Sequence, residues 1–142
     1  MELIVTGMNF NGNEEKQMVV MKHTALVCAS EENADNFYHK LLGLEKAGRK
    51  ILPRNLSAAI FKVNKELLMI NYIGERSAFE IFIHSQRQDR PRQIEHTCIE
   101  IEDRITFLNA CQDLGVKINL VKKEEKALIF IQDFDGNLFE IK

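Results

Sequence analysis

The apolar residues of this chain fall into stretches of two different periods. From Val19 to Cys28 they alternate with a period of two, which predicts a β-strand. Over about 31–42 they recur every three or four residues, which predicts an amphipathic helix that Ser30 caps and Gly43 ends. The apolar stripe of that helix consists of Ala34, Phe37, Tyr38, Leu41 and Leu42.

Further strands complete the first half of the chain. A strand is predicted at about 44–52, where Pro53 stops it. Residues 55–63 fit either one helical turn or the start of a strand, and the pattern does not decide between them. Two more strands are predicted at Leu67–Ile73 and Ala78–His84.

The same order of elements returns after a polar stretch at 85–93, which we interpret as a linker. A strand over Ile94–Ile101 precedes a helix that Asp103 caps and Gly115 ends. Three last strands are predicted at about 116–122, 127–132 and 137–141. The turn chemistry of Asp135-Gly136-Asn137 favours a tight connection before the final strand.

The sequence therefore predicts an α+β fold of two tandem βαβββ modules, at about 21–84 and 94–142, which form an open, curved mixed sheet. Together they make one compact domain over 21–142, and residues 1–20 form an N-terminal arm.

Composition narrows the classes of function. A net charge of −2 argues against nucleic acid and against a membrane surface as partners. No apolar run approaches the ~18 residues that a membrane-spanning helix needs. The cysteines at 28, 98 and 111 are odd in number and lie in apolar segments, which favours buried, reduced thiols. We expect a cytoplasmic protein.

Four polar residues occupy matching positions in the two modules. His23-Thr24 matches His96-Thr97 in the first strand of each module, and Phe79-Glu80-Ile81 matches Phe139-Glu140-Ile141 in the last. A single histidine on an apolar strand is usually a satisfied core residue, but four polar residues in register indicate a shared site. The concave side of the sheets is expected to gather the four side chains. Two imidazoles and two carboxylates suit Ni²⁺, Zn²⁺ or Co²⁺ better than Ca²⁺, which prefers oxygen ligands only.

These residues carry a resemblance to a known superfamily. The matching pieces are His23-Thr24, Phe37-Tyr38, Leu42-Gly43, His96-Thr97 and the run from Asp133 to Glu140. Over about 22–142 the chain resembles the vicinal oxygen chelate superfamily, which includes glyoxalase I and methylmalonyl-CoA epimerase. The resemblance implies paired βαβββ modules that form a cup around a divalent metal, in a homodimer. It leaves open whether the metal ligands come from one chain or two.

The resemblance also implies a chemistry. A metal that holds two adjacent substrate oxygens stabilises the enediolate or enolate formed on proton removal. By similarity to glyoxalase I, Glu140 is the first choice for the catalytic base and Glu80 the second. The chain is therefore expected to be a lactoylglutathione lyase-like metalloenzyme, an isomerase or lyase that acts on a small oxygenated substrate.

Two alternatives remain open at this point. An extradiol-type dioxygenase would use Fe²⁺ with two histidines and one carboxylate, and a fourth ligand at Glu80 would occupy one of its open positions. A non-catalytic binding or resistance protein would use the same cup to sequester a small molecule. The arginine pattern by which glyoxalase I recognises glutathione has no counterpart at matching positions, so the sequence does not name the substrate. Arg49, Lys50 and Arg54 are candidates for contact with an anionic substrate, although a solvated face is the ordinary interpretation.

Overall fold

The computed structural model describes residues 17–85 and 93–142. The predicted arm up to residue 16 and most of the predicted linker, at 86–92, lie outside these ranges. Among the described residues, no helix is long and apolar enough to cross a membrane.

Two four-stranded mixed sheets form the described part of the molecule. The strands of module 1 are β1 (Thr24–Cys28), β2 (Glu45–Leu52), β3 (Leu67–Ile73) and β4 (Ala78–Ile83). The strands of module 2 are β5 (Thr97–Ile99), β6 (Ile118–Lys123), β7 (Lys126–Gln132) and β8 (Leu138–Ile141). The spatial orders β1-β4-β3-β2 and β5-β8-β7-β6 are equivalent, and in each sheet the first strand runs parallel to the last. The predicted α+β fold of two repeated modules is therefore confirmed.

Three helical segments accompany the sheets. They are α1 (Glu31–Ala34), which continues as a π-helical segment (Asp35–Leu41), α2 (Arg54–Phe61) and α3 (Arg104–Leu114). The predicted caps are present. The Ser30 side chain accepts a hydrogen bond from the backbone N–H of Asn33 at 3.1 Å, and the Asp103 side chain accepts one from the backbone N–H of Thr106 at 3.1 Å. Gly115 ends α3 with a φ of 75°, a left-handed conformation that glycine adopts without strain.

The modules differ in one connection. The ambiguous stretch at 55–63 is helical as far as Phe61, and α2 ends where Lys62 turns left-handed with a φ of 60°. Module 2 has only a tight turn at 124–125 between β6 and β7, the equivalent strands. The repeat is therefore interrupted in module 1 by an inserted helix.

Both first strands are shorter than the alternation of apolar residues predicts. β1 begins at Thr24 and not at Val19, and β5 covers only Thr97–Ile99. Thr24 pairs with Phe79 near the start of β4, and Thr97 pairs with Phe139 near the start of β8. A strand lasts only as long as its neighbour offers backbone partners, so both ligand-candidate histidines lie just before a strand.

One apolar core joins the two modules. Phe37 and Tyr38 of the π-helical segment are fully buried, and their rings lie 5.3 Å from Phe139 and 5.4 Å from Phe79 respectively. The rings of Phe79 and Phe139, which are equivalent in the repeat, lie 6.0 Å apart. Burial of each such ring contributes about 1.5–3 kcal/mol. The faces of β4 and β8 opposite this core carry the glutamates and are here called the inner faces.

Candidate metal centre

His23 and Glu80 form a pair on the inner face of module 1. Ala25 of β1 lies opposite Glu80 of β4, and His23 stands two positions before Ala25 on the same side of the chain. The imidazole Nε2 lies 3.3 Å from the carboxylate Oε2 of Glu80. The side chains are 46% and 25% exposed, so the pair is open to solvent.

His96 and Glu140 form the equivalent pair in module 2. Cys98 of β5 lies opposite Glu140 of β8, and His96 stands two positions before Cys98. The distance from Nε2 to Oε2 is 3.4 Å, with 34% and 19% of the side chains exposed. The parallel pairing of first and last strand therefore places a histidine beside a glutamate in each module.

The contacts of His96 suit a metal ligand. Its Nδ1 lies 2.7 Å from the backbone oxygen of Ile94, which can only accept, so Nδ1 carries the proton and donates. Nε2 then faces the Glu140 carboxylate either with a second proton or with a lone pair. A divalent cation between them would bind both the Nε2 lone pair and the carboxylate charge. A hydrogen bond from the other ring nitrogen, here Nδ1, is the usual support for a metal-binding histidine. The ring also lies edge-on to Phe130, with centroids 5.7 Å apart.

The two pairs stay separate within one chain. Among residues 17–85 and 93–142, no three side chains of the types His, Cys, Asp and Glu converge closely enough to hold a metal ion. The structure thus brings His23 to Glu80 and His96 to Glu140. Within the described residues of one chain it does not gather all four around one point, so whether one chain or two would supply a metal's ligands stays open at this stage.

A buried hydrogen-bond network precedes Glu140, and sequence reasoning missed it. The Asp133 carboxylate accepts from the backbone N–H groups of Asp135 and Asn137, both at 2.9 Å, and from the Asn137 side-chain amide at 2.7 Å. It also accepts from the Tyr38 hydroxyl at 2.8 Å. The spacing of Asp133, Asp135 and Asn137 around Gly136, where φ is 86°, was the available signal, but it indicated only a turn.

The network also ties module 2 to module 1. The Asn137 amide donates to the backbone oxygen of Val27 in β1 at 2.9 Å, and the Cys28 thiol lies 3.5 Å from Asp133. Burial raises the pKa of the Cys28 thiol and of the Tyr38 hydroxyl, and the nearby Asp133 charge raises both further. Both groups are therefore held as neutral donors. Cys98, in contrast, is exposed, so the expectation of a buried thiol is wrong for that residue.

A cavity of about 770 Å³ opens beside His96 on module 2. We call it the module-2 cavity. It is lined by Phe130 and Gln132 of β7, by Asn119 of β6 and by Lys117, which directly precedes β6, among other residues.

Comparison with solved structures identifies the fold. A glyoxalase family protein from Enterococcus faecalis matches with a TM-score of 0.66 at 20% identity, over 86% of this chain and 95% of its own. One from Bacillus cereus matches with a TM-score of 0.68 at 17% identity, over 89% and 95%. The fosfomycin resistance protein FosX from Listeria monocytogenes, as a mutant in complex with Mn(II) and 1S,2S-dihydroxypropylphosphonic acid, matches with a TM-score of 0.67 at 16% identity, over 88% and 92%.

No family model and no curated protein matches the sequence. At these identities the likeness concerns the fold, which this chain shares with the glyoxalase family proteins and with FosX. The resemblance stated from the sequence is confirmed at that level.

Proposed function

We propose that this chain is a metal-dependent enzyme with glyoxalase-like chemistry, an isomerase or lyase acting on a small oxygenated substrate. The observation that carries the proposal is the repeated His–Glu pair, with Nε2 to Oε2 distances of 3.3 and 3.4 Å at equivalent positions of the two modules. A purely structural role for the two histidines would not explain why a glutamate lies beside each of them at equivalent positions of the repeat. A two-histidine, two-carboxylate donor set accounts for the repetition.

The separation of the pairs supports a site completed between two chains. One chain offers each metal only two ligands, whereas a homodimer can place module 1 of one copy opposite module 2 of the other. Each of two sites would then have His23 and Glu80 from one copy, with His96 and Glu140 from its partner. This arrangement draws the ligands of each metal from two chains, and it makes the proposed dimer a condition of metal binding.

The donor chemistry fits a divalent transition metal. Two neutral imidazoles and two carboxylates balance a charge of +2, and imidazole with carboxylate suits Ni²⁺, Zn²⁺, Co²⁺ or Mn²⁺. The Mn(II) named for the Listeria FosX structures favours including manganese in any metal screen.

The residues would divide the work as follows. The bound metal would supply Lewis acidity to a substrate that offers two adjacent oxygens. Glu140 would accept the proton removed from the substrate carbon, and Asp133 would fix the turn before β8, the strand that carries Glu140. The Ile94 carbonyl would keep the His96 ring oriented. Glu80 would serve mainly as a ligand.

Substitution of the two carboxylates tests the division of labour. Glu140→Gln keeps an oxygen of similar shape but removes the base, so turnover of a 2-oxo hemithioacetal should fall about 10²–10⁴-fold while metal remains bound. Glu80→Gln is the matched control and should retain more activity. Metal content and rate are measured in parallel for both variants. Near wild-type turnover by metal-loaded Glu140→Gln would refute the assignment of the base, and O₂ consumption with a catechol would indicate a dioxygenase instead.

A second candidate is resistance to a phosphonate antibiotic, which the structural likeness to FosX favours. The test is incubation of the metal-loaded protein with fosfomycin, followed by ³¹P NMR. A new phosphonate signal that requires His96 would support this candidate. An unchanged signal, together with turnover of a hemithioacetal, would exclude it.

A further inference from the structure

The inner face of module 1 is filled by its own side chains. Phe82 follows Glu80 by two positions on the same face of β4 and packs with Leu67 and Met69 in a small apolar cluster. Phe61 at the end of α2 covers this cluster, with its ring 5.1 Å from that of Phe82. The inserted helix therefore occupies space on this face, beyond Glu80.

Among residues 17–85 and 93–142, nothing equivalent covers the inner face of module 2. A tight turn replaces α2 between β6 and β7, and Phe130 lies directly opposite Glu140 in the β7–β8 pairing. The module-2 cavity opens here and borders His96. The two modules thus offer equivalent ligand pairs but unequal room, since the cavity beside His96 has a volume of about 770 Å³ and the one beside His23 about 480 Å³.

The charge of the module-2 cavity is unlike that of the chain. The chain has 21 acidic residues against 19 lysines and arginines, yet none of the described residues that line the cavity is acidic. Lys117 is its one lysine, and within the described part of the chain no hydrogen bond or ion pair engages the Lys117 ammonium.

The two arginines that the sequence suggested as contacts for an anionic substrate lie outside the module-2 cavity. Arg49 donates to Glu31 at 2.9 Å, and Arg54 donates to Asn64 at 2.8 Å. Neither arginine borders the module-2 cavity. Beside Lys117, the same cavity is lined by the amide residues Asn119 and Gln132 and by the apolar residues Phe130 and Val121.

We propose that the module-2 cavity binds a small organic anion, with Lys117 pairing the anionic group and Phe130 and Val121 contacting an apolar body. The inference rests on the proposed function, because the cavity borders His96, and it names the substrate class as organic anions. Lys117 is then a specificity-determining residue, while the filled face of module 1 contributes ligands only.

An NMR titration of the metal-free full-length protein tests this separately from metal binding and turnover. The probes are 3-methylbutanoate and its uncharged match, 3-methylbutanamide. The carboxylate should shift the backbone amide signals of residues 117–121 and 128–132 and should bind more tightly than the amide. Because an exposed ion pair contributes little, Lys117→Gln should weaken carboxylate binding about three-fold, and Lys117→Glu about ten-fold, with amide binding unchanged.

Lys123, at the other end of β6, supplies the matched control. Lys123→Gln and Lys123→Glu should leave carboxylate binding as in the wild type, since Lys123 does not line the cavity. Equal binding of the two probes, or equal effects at Lys117 and Lys123, would overturn the inference. Metal content is measured on the wild type and on His96→Ala as well. A wild-type protein that binds metal but not the carboxylate would refute this inference alone, whereas a His96→Ala variant that retains its metal and binds the carboxylate would refute the proposed metal site alone.

Discussion

At the scale of single residues, Asp133 holds the turn that precedes β8, the strand that carries Glu140. Its buried carboxylate accepts four close hydrogen bonds, one of which comes from Tyr38 in the other module. A buried charge is tolerated only when hydrogen bonds replace its hydration. The turn before β8 and the contact between the modules therefore depend on the same side chain.

Loss of the Tyr38 hydroxyl should show this dependence. Tyr38→Phe removes one donor to a buried carboxylate and should lower the free energy of unfolding by about 1.5–3 kcal/mol. Tyr72→Phe is the control, because its hydroxyl donates at 2.7 Å to Asp35, a carboxylate nearer to solvent, and should cost less. Urea denaturation measures both variants. A Tyr38→Phe effect no larger than that of Tyr72→Phe would contradict the importance of the network.

Thiol reactivity gives a second residue-scale prediction. Cys98 is exposed, whereas burial raises the pKa of the Cys28 thiol and raises the pKa of Cys111 to about 11. Thiolates react and thiols do not, so a disulfide reagent at pH 8 should modify one cysteine of the native chain. Cys98→Ala should abolish this fast reaction, and urea should expose the other two. Fast modification of Cys28 or Cys111 in the native Cys98→Ala variant would show that the core is open.

At the scale of elements, α2 is what makes the two modules different. It follows Pro53, which cannot continue β2, and it shields the apolar cluster around Phe82. It also contains an unsatisfied polar group, because the Ser57 hydroxyl is fully buried and has no hydrogen-bond partner among the described residues. An unsatisfied buried hydroxyl is a cost to the folded state.

Removal of this hydroxyl should be tolerated. Ser57→Ala eliminates the desolvation cost and raises helix propensity, so the free energy of unfolding should stay equal or rise by up to about 1–2 kcal/mol. Asn55→Ala, on the exposed side of the same helix, is the control for propensity alone. Thermal denaturation compares the variants. A clear decrease in stability for Ser57→Ala would mean that the hydroxyl has a partner, such as a bound water.

At the scale of the whole molecule, metal binding and dimer formation are proposed as one event. A chain with His23→Ala and Glu80→Ala should bind no metal, and neither should a chain with His96→Ala and Glu140→Ala. Mixed, unfolded and refolded together, the two variants should recover one metal per heterodimer, because one of the two shared sites would then have all four ligands. Elemental analysis and light scattering provide the measurements. No recovery on mixing, with dimers present, would mean that each metal takes its ligands from a single chain.

The sequence by itself determined the repeat, the element types outside 55–63 and the register of the candidate ligands. Alternating residues on a strand point to opposite faces, so the positions of Glu80 and Glu140 relative to their core-facing neighbours are fixed locally. The caps at Ser30 and Asp103 are local as well, since each bonds a backbone group three residues away. Such features need no knowledge of distant parts of the chain.

Only the tertiary structure decided the features that depend on distant neighbours. The helical state of 55–63 rests on packing against Phe82, because its local pattern fits a strand or a helix. The starts of β1 and β5 follow from where β4 and β8 offer partners. Asp133 meets Tyr38 across 95 residues, a contact that no local pattern contains. The division of four aligned ligands into two separate pairs likewise arises from the packing of one module against the other, since the repeat alone fixes only what lies within each module.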